Sequence, residues 1–239
     1  MSTTASSLLS AESLKIQRGD GELAKLILKG SPDCRVAIEA GQLIYLAGAS
    51  GTGKSTLLWT LARLHPLVGG RLRLNGQLDT DVAVTRWRAE VALLPQKPVI
   101  VSGTVADNLW YPLLTFRIQQ QRLTERHQSL PNAQDLQNEL HSVGLDDIPL
   151  EREAASLSGG QQARLALIRL LLTQPQLILA DEPTAGVDDV ATDLVFNRLQ
   201  RFCEPGGAVI FTSHVHRERV NGARLVLDGH AGLQFKNNK

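Results

Sequence analysis

The segment Gly48-Ala49-Ser50-Gly51-Thr52-Gly53-Lys54-Ser55 constrains this chain more than any other. It has the spacing of a glycine, four residues, then Gly-Lys-Ser/Thr, and it stands between the apolar run Leu43 to Ala47 and a helical pattern that begins at Lys54. A strand must therefore end and a helix begin within a few residues. Glycines let such a loop wrap so that its backbone N–H groups converge, and the helix start adds about half a positive charge. Lys54 reaches the outer phosphates of a triphosphate and Ser55 offers its hydroxyl to Mg²⁺. An ordinary strand-to-helix turn needs neither the lysine nor the hydroxyl. Gly48, Ser50, Gly51, Gly53, Lys54, Ser55 and Thr56 are thus the candidate triphosphate cradle.

The rest of the chain supplies the frame that such a loop needs. Val91 to Leu94, Leu177 to Ala180, Val209 to Thr212 and Leu225 to Leu227 are further apolar runs too short for helices. Lys54 to His65 sets Leu57, Leu58, Leu61 and Leu64 on one helical face, and Asp188 to Phe202 is a second amphipathic stretch. Strands alternating with helices predict an α/β fold with a mostly parallel sheet flanked by helices. Residues 14–40, with turns at Gly19-Asp20-Gly21 and Gly30-Ser31-Pro32, predict a small antiparallel sheet beside it. Residues 97–157 hold no buried strand but a Gln/Arg-rich stretch from Arg117 to Gln128 and a turn at Leu130-Pro131-Asn132. They read as a helical subdomain inserted into one domain, 1–239, whose catalytic core is 14–96 and 158–239. Met1 to Ser13 is rich in Ser and Thr without a basic residue, so it reads as a disordered terminus and not a secretory signal.

Composition excludes several classes. At 43% hydrophobic and 21% charged the chain buries a sizeable core. Lys+Arg of 25 against Asp+Glu of 24 leaves a net charge of +1, without the footprint of a nucleic-acid wrapper, so no nucleic-acid partner is expected. The two cysteines, Cys34 and Cys203, have no metal-ligand spacing and make no disulfide framework, which suits a reducing compartment. No apolar run approaches the ~20 residues that span a bilayer.

Two more motifs narrow the chemistry. Gln176 to Glu182 is a buried-strand pattern ending in adjacent carboxylates. In open α/β sheets ligands bind at the carboxyl ends of strands, and adjacent residues leaving a strand diverge. Asp181 would then hold the Mg²⁺ shell and Glu182 would orient or deprotonate an attacking water. In Leu157-Ser158-Gly159-Gly160-Gln161 a capping box explains Ser158 and Gln161 but not the glycines, which cost roughly 1 kcal/mol each in a helix. Exposed N–H groups at a positive helix end make a second anion site.

With these residues the chain resembles the nucleotide-binding subunits of ATP-binding-cassette (ABC) transporters, over nearly its whole length. The resemblance implies a P-loop NTPase core, ATP hydrolysis with Mg²⁺, and a head-to-tail homodimer formed on ATP binding. Ser158, Gly160 and Gln161 of one copy would cap the ATP in the other. It implies the Q-loop glutamine for Gln96, touching metal or water, the coupling D-loop for Asp188, and the γ-phosphate-sensing switch for His214. It further implies a separate integral membrane permease, with the chain peripheral on the cytoplasmic face of the membrane. Trp110, Tyr111 and Phe116, with Leu109, Leu113 and Leu114, fall where the family receives a coupling helix, and about half of them should be core. Pro98 to Leu109 resembles exporter-type ATPases, and Asp107 to Pro112 is similar to stand-alone ATPases of metal-tolerance or iron-export permeases, implying metal-ion cargo. The family's adenine-stacking aromatic is missing, since residues 1–44 contain no Phe or Trp and no Tyr; Arg18 or Leu23 would pack on the base, with looser base selectivity. Ala163 replaces a common glutamine. A soluble assembly ATPase of the Fe–S scaffold type is the alternative; neither long coiled coils nor tandem cassettes occur, and Glu182 argues against a non-hydrolysing module.

Overall fold

The apolar alternation of Leu9, Ala11, Leu14 and Ile16 organises the first sheet. In the computed structural model, which describes residues 7–19, 25–31, 35–213, 223–228 and 232–236, these side chains are buried along β1 (Leu9–Arg18). Strands β2 (Lys25–Lys29) and β3 (Arg35–Ile38) pair antiparallel with β1. After β4 (Leu43–Ala47) and helix α1 (Lys54–Leu61) the chain returns as the hairpin β5 (Gly69–Leu74) and β6 (Gln77–Leu78), and β5 also lies antiparallel to β1. The antiparallel sheet is therefore larger than residues 14–40 suggest. Residues 8–13 are not a disordered terminus: Leu8, Leu9 and Ala11 are core. The polar Ser/Thr composition just before them hides the period-two pattern that starts there.

Next come α2 (Val84–Glu90), β7 (Val91–Leu94), α3 (Val105–Thr115), α4 (Arg117–Glu125), α5 (Ala133–His141) and α6 (Gly159–Leu171). Then follow β8 (Leu177–Ala180), α7 (Asp189–Cys203), β9 (Ala208–Phe211), β10 (Arg224–Leu227) and β11 (Leu233–Lys236). The main sheet runs β11-β10-β4-β9-β8-β7 and is parallel except for β11. Its strands feed two cores by alternation. Ile44, Leu46, Leu177, Leu179 and Ile210 face α1 and the antiparallel sheet. Tyr45, Ile178, Val209 and Phe211 face the other way, against α6, α7 and the inserted helices. On α1, Leu57, Leu58 and Leu61 are buried, but Leu64 lies past the helix end and is exposed.

Helix α4 is docked unusually. Its only buried residues are Gln119 and Arg122, so no apolar face holds it. Arg122 instead donates to Glu90 (3.0 Å), Gln119 Oε1 and the Thr173 and Gln174 carbonyls, and burial pushes its guanidinium down from the usual range. Such a buried pair adds less net stability than specificity of placement. Among the described residues no helix is long and apolar enough to cross a membrane.

Candidate functional site

Because β4, β9, β8 and β7 are parallel neighbours, the segments that follow them, at 48, 212, 181 and 95, leave one edge of the sheet. At the first, Gly53 stands at φ 103° and a Cβ there would lie 2.5 Å from Cγ2 of Ile27, so only glycine fits. Lys54 Nζ donates to Gly48 O (2.8 Å) and Ala49 O (3.1 Å), which sets the ammonium against the loop. The first turn of α1 has no side-chain cap and no acidic residue, so nothing in that turn offsets its positive end. Ser50, Gly51 and Ser55 are exposed and Thr56 is half-buried.

At β8 the two acids diverge as expected. Asp181 is buried and accepts a hydrogen bond from Thr212 Oγ1 (2.8 Å). The same hydroxyl accepts the Glu182 amide at 2.9 Å. Glu182 lies at φ 52°, a conformation that costs a β-carbon-bearing residue of order 1 kcal/mol and persists only where its surroundings fix it. Its carboxylate accepts Gln96 Nε2 at 2.8 Å. Thr212, which bonds to both acidic residues, is the contact that motif reading misses. Only the strand pairing reveals it: Ala180 and Phe211 are register partners, so residue 212 stands beside 181. Tyr45 donates to Ser213 O (3.1 Å). His214 itself, like Leu23, lies outside the described residues; Arg18 is exposed at the end of β1.

Ser158 caps α6 through a reciprocal box: its amide donates to Gln161 Oε1 (2.9 Å) and the Gln161 amide to Ser158 Oγ (3.3 Å). The Gln161 side chain is thereby engaged at the helix start. Gly160 is explained by packing, since a Cβ there would meet Gly186 O at 3.0 Å, whereas at Gly159 nothing lies within 4 Å. Ser158, Gly159 and Gly160 line a cleft of about 440 Å³ with Gln96, Pro98 and Asp188. No residue of 48–55 lines it. Asp188 caps α7 by accepting the Ala191 amide (2.9 Å), and this bond, with Arg164 nearby, holds its carboxyl below the usual carboxylate range.

The donors proposed for a metal are the Ser55 hydroxyl, the Asp181 carboxylate and the Gln96 amide oxygen. All are hard oxygens, a set that fits Mg²⁺ and not a thiophilic metal. Among the described residues no group of three or more His, Cys, Asp or Glu is placed to hold a metal ion.

A glycine loop closing a parallel strand onto a helix, with an acidic strand end two strands away, defines a P-loop nucleotide-binding domain. Comparison with known proteins narrows this. The family model described as "ABC transporter" matches residues 32–185. The lipoprotein-releasing system ATP-binding protein LolD 2 of Rhodospirillum rubrum is 34% identical over 87% of this chain and 87% of its own length. The macrolide export ATP-binding/permease protein MacB of Escherichia coli O157:H7 is 33% identical over 84% of this chain, and the ABC multidrug transporter atrC of Emericella nidulans 34% identical over 74%. The chain spans only 30% of that MacB and 14% of atrC. A dimeric ATP-binding cassette in a post-hydrolysis state with ADP and phosphate shares the fold at TM-score 0.77, with 21% identity over 97% of this chain and 99% of that one. The chain belongs to the ABC transporter family and is an ATPase domain of it.

Proposed function

We propose that this chain hydrolyses ATP as the motor subunit of a membrane transporter, two copies closing head to tail over two nucleotides. The observation that carries the reading is that the signature cleft contains Gln96 and Asp188 but no residue of the phosphate loop. On this reading an anion at the Ser158 helix start would belong to a nucleotide that another copy cradles. The uncapped first turn of α1 and Lys54 would bind the triphosphate. Gln96 and Glu182, already in contact, would hold the attacking water in line, with Glu182 taking its proton. Mg²⁺, when bound, would neutralise charge developing on the phosphates, with Ser55, Asp181 and Gln96 as its protein ligands. Relatives named for export or lipoprotein release support an outward direction. The metal-ion cargo rests on residues 107–112 alone, because the pocket that selects cargo belongs to the permease.

Thr212 ties both acids to one hydroxyl, so Thr212→Val, nearly isosteric, strands a buried acceptor on Asp181 and the Glu182 amide at once. ATP turnover should fall at least about tenfold, with ATP binding retained and Thr212→Ser near wild type. Phosphate release compared with nucleotide titration checks this; an unaltered rate in the valine variant removes Thr212 from the machinery.

Docking on the permease follows from a second cavity. A groove of about 1030 Å³ is walled by Leu64, Leu93, Pro98, Val99, Tyr111 and Phe116. Of the six residues noted on and after α3, Leu109 and Leu113 are core, Trp110 is half-buried and donates to Pro131 O, and Tyr111, Leu114 and Phe116 are exposed. That apolar surface fits an amphipathic helix. Tyr111→Ala and Leu114→Ala should abolish co-purification of the detergent-solubilised permease, and transport with it, while the free chain still hydrolyses ATP. Normal transport in both variants refutes the docking site, and an intact soluble complex with no membrane subunit refutes the transporter role.

A further inference from the structure

The segment after Gln96, residues 97–104, runs as irregular chain between the two cavities, and Pro98 lines both. Irregular backbone needs partners for its polar groups, and here two side chains supply them. Asn108, fully buried on α3, accepts the Val101 amide at 3.0 Å and donates to Val101 O (2.9 Å) and Thr104 O (3.0 Å). Its Oδ1 also accepts Arg169 NH1 at 3.2 Å, and Arg169 NH2 donates to Val99 O. Every hydrogen-bonding position of the Asn108 amide is therefore occupied.

Arg169 is half-buried on α6, on the wall of the larger groove and outside the core. Among the described residues no carboxylate lies within ion-pair distance of it, and burial pushes its guanidinium down from the usual range, only partly offset by Tyr111. Even partial desolvation of a guanidinium with no counter-charge opposes its placement there, and an apolar side chain would cover the same groove wall on α6 without that cost. What the guanidinium adds is two donors, one to the segment's backbone and one to the residue that grips it. The clasp stands on the helix that starts at the signature: Arg169 is eight residues after Gln161, about 12 Å along α6. One rigid helix thus fixes both the anion-binding turn and the strap that leads from Gln96.

We propose that Arg169, acting with Asn108, is a positioning residue that holds the Gln96 strap in register with the signature helix, so that Gln96 meets Glu182. The residue touches neither nucleotide nor water; it sets where Gln96 stands. This rests on the ATPase reading above.

The test is Arg169→Met and Arg169→Lys in the full chain, reading kcat, KM for ATP, the melting temperature and hydrogen exchange of amides 97–104. Arg169→Met should lower kcat between about ten- and a hundredfold with KM unchanged, because the phosphate loop follows β4, three strands away from β7 in the sheet order, and the strap amides should exchange faster while those of α1 do not. Arg169→Lys, which reaches one acceptor instead of two, should recover part of the rate and part of the protection. Should the methionine variant fail to fold, the lysine variant decides: an intermediate kcat with unchanged KM upholds the role, and a wild-type kcat overturns it. Equal losses of kcat, ATP affinity and melting temperature overturn it too, as the mark of simple destabilisation. A wild-type chain that turns over no ATP sinks the ATPase reading and this inference together; an active wild type matched by Arg169→Met sinks the inference alone.

Discussion

In Glu182→Gln, ATP hydrolysis falls by about 10²-fold or more, ATP still binds, and the ATP-loaded chain runs as a dimer. The substitution keeps the volume and keeps an oxygen to accept Gln96 Nε2, the 2.8 Å contact seen here. It also leaves the backbone bond from the Glu182 amide to Thr212 untouched. What it removes is the basic oxygen that takes a proton from water. Removing the negative charge also eases repulsion of the triphosphate, so the closed pair persists instead of resetting. Single-turnover phosphate release and size-exclusion chromatography with and without ATP read the two halves separately. A rate close to wild type would show that another group is the base; retained catalytic loss without dimer accumulation would detach hydrolysis from closure.

How much of this was written in the sequence depends on the range of each interaction. The phosphate loop, the strand ending in Asp181 and Glu182, and the signature turn were legible because each is a contiguous run whose residue types follow from local geometry. The parallel order of the sheet was legible only as a class, since which strands adjoin depends on contacts far apart in the chain. Thr212 was missed for that reason: a hydroxyl at a strand end means nothing until β9 is seen beside β8. The residues before β1 misled because Ser/Thr composition outweighed the alternation that begins at Leu9. Helix α4 shows the opposite limit. Its stretch is Gln/Arg-rich and polar, yet Arg122 is buried against Glu90, a pairing that no periodicity announces. Glycines divided in the same way. Gly53 follows from the motif, whereas Gly160 is favoured by the close carbonyl of Gly186, more than two dozen positions away.

The decisive prediction concerns the shared pocket, and it comes from the cap at Ser158. Ser158→Arg should abolish ATP turnover, but arginine also removes a capping hydroxyl, worth roughly 1 kcal/mol to α6. Ser158→Asp separates the two causes. Aspartate caps a helix as well as serine does and keeps the box with Gln161, while placing a negative charge where a phosphate should sit. If the loss came through the cap, the aspartate variant would be active; an anion site predicts that it is as inactive as the arginine variant. Whether that site serves the chain's own nucleotide or a neighbour's is answered by mixing. Lys54→Ala and Ser158→Arg are each expected to be inactive alone. In a head-to-tail dimer of one copy of each, both defects fall in one pocket and the other pocket receives an intact Lys54 and an intact Ser158. An equimolar mixture should therefore regain about a quarter of the wild-type rate, since half the dimers are mixed and each has one good site of two. If each copy completed its own pocket, no mixture would recover anything. Persistent inactivity of mixtures shown to contain mixed dimers would place the signature's anion site in the same chain as its phosphate loop, against the separation of the two that the cleft at Gln96, Ser158 and Asp188 displays.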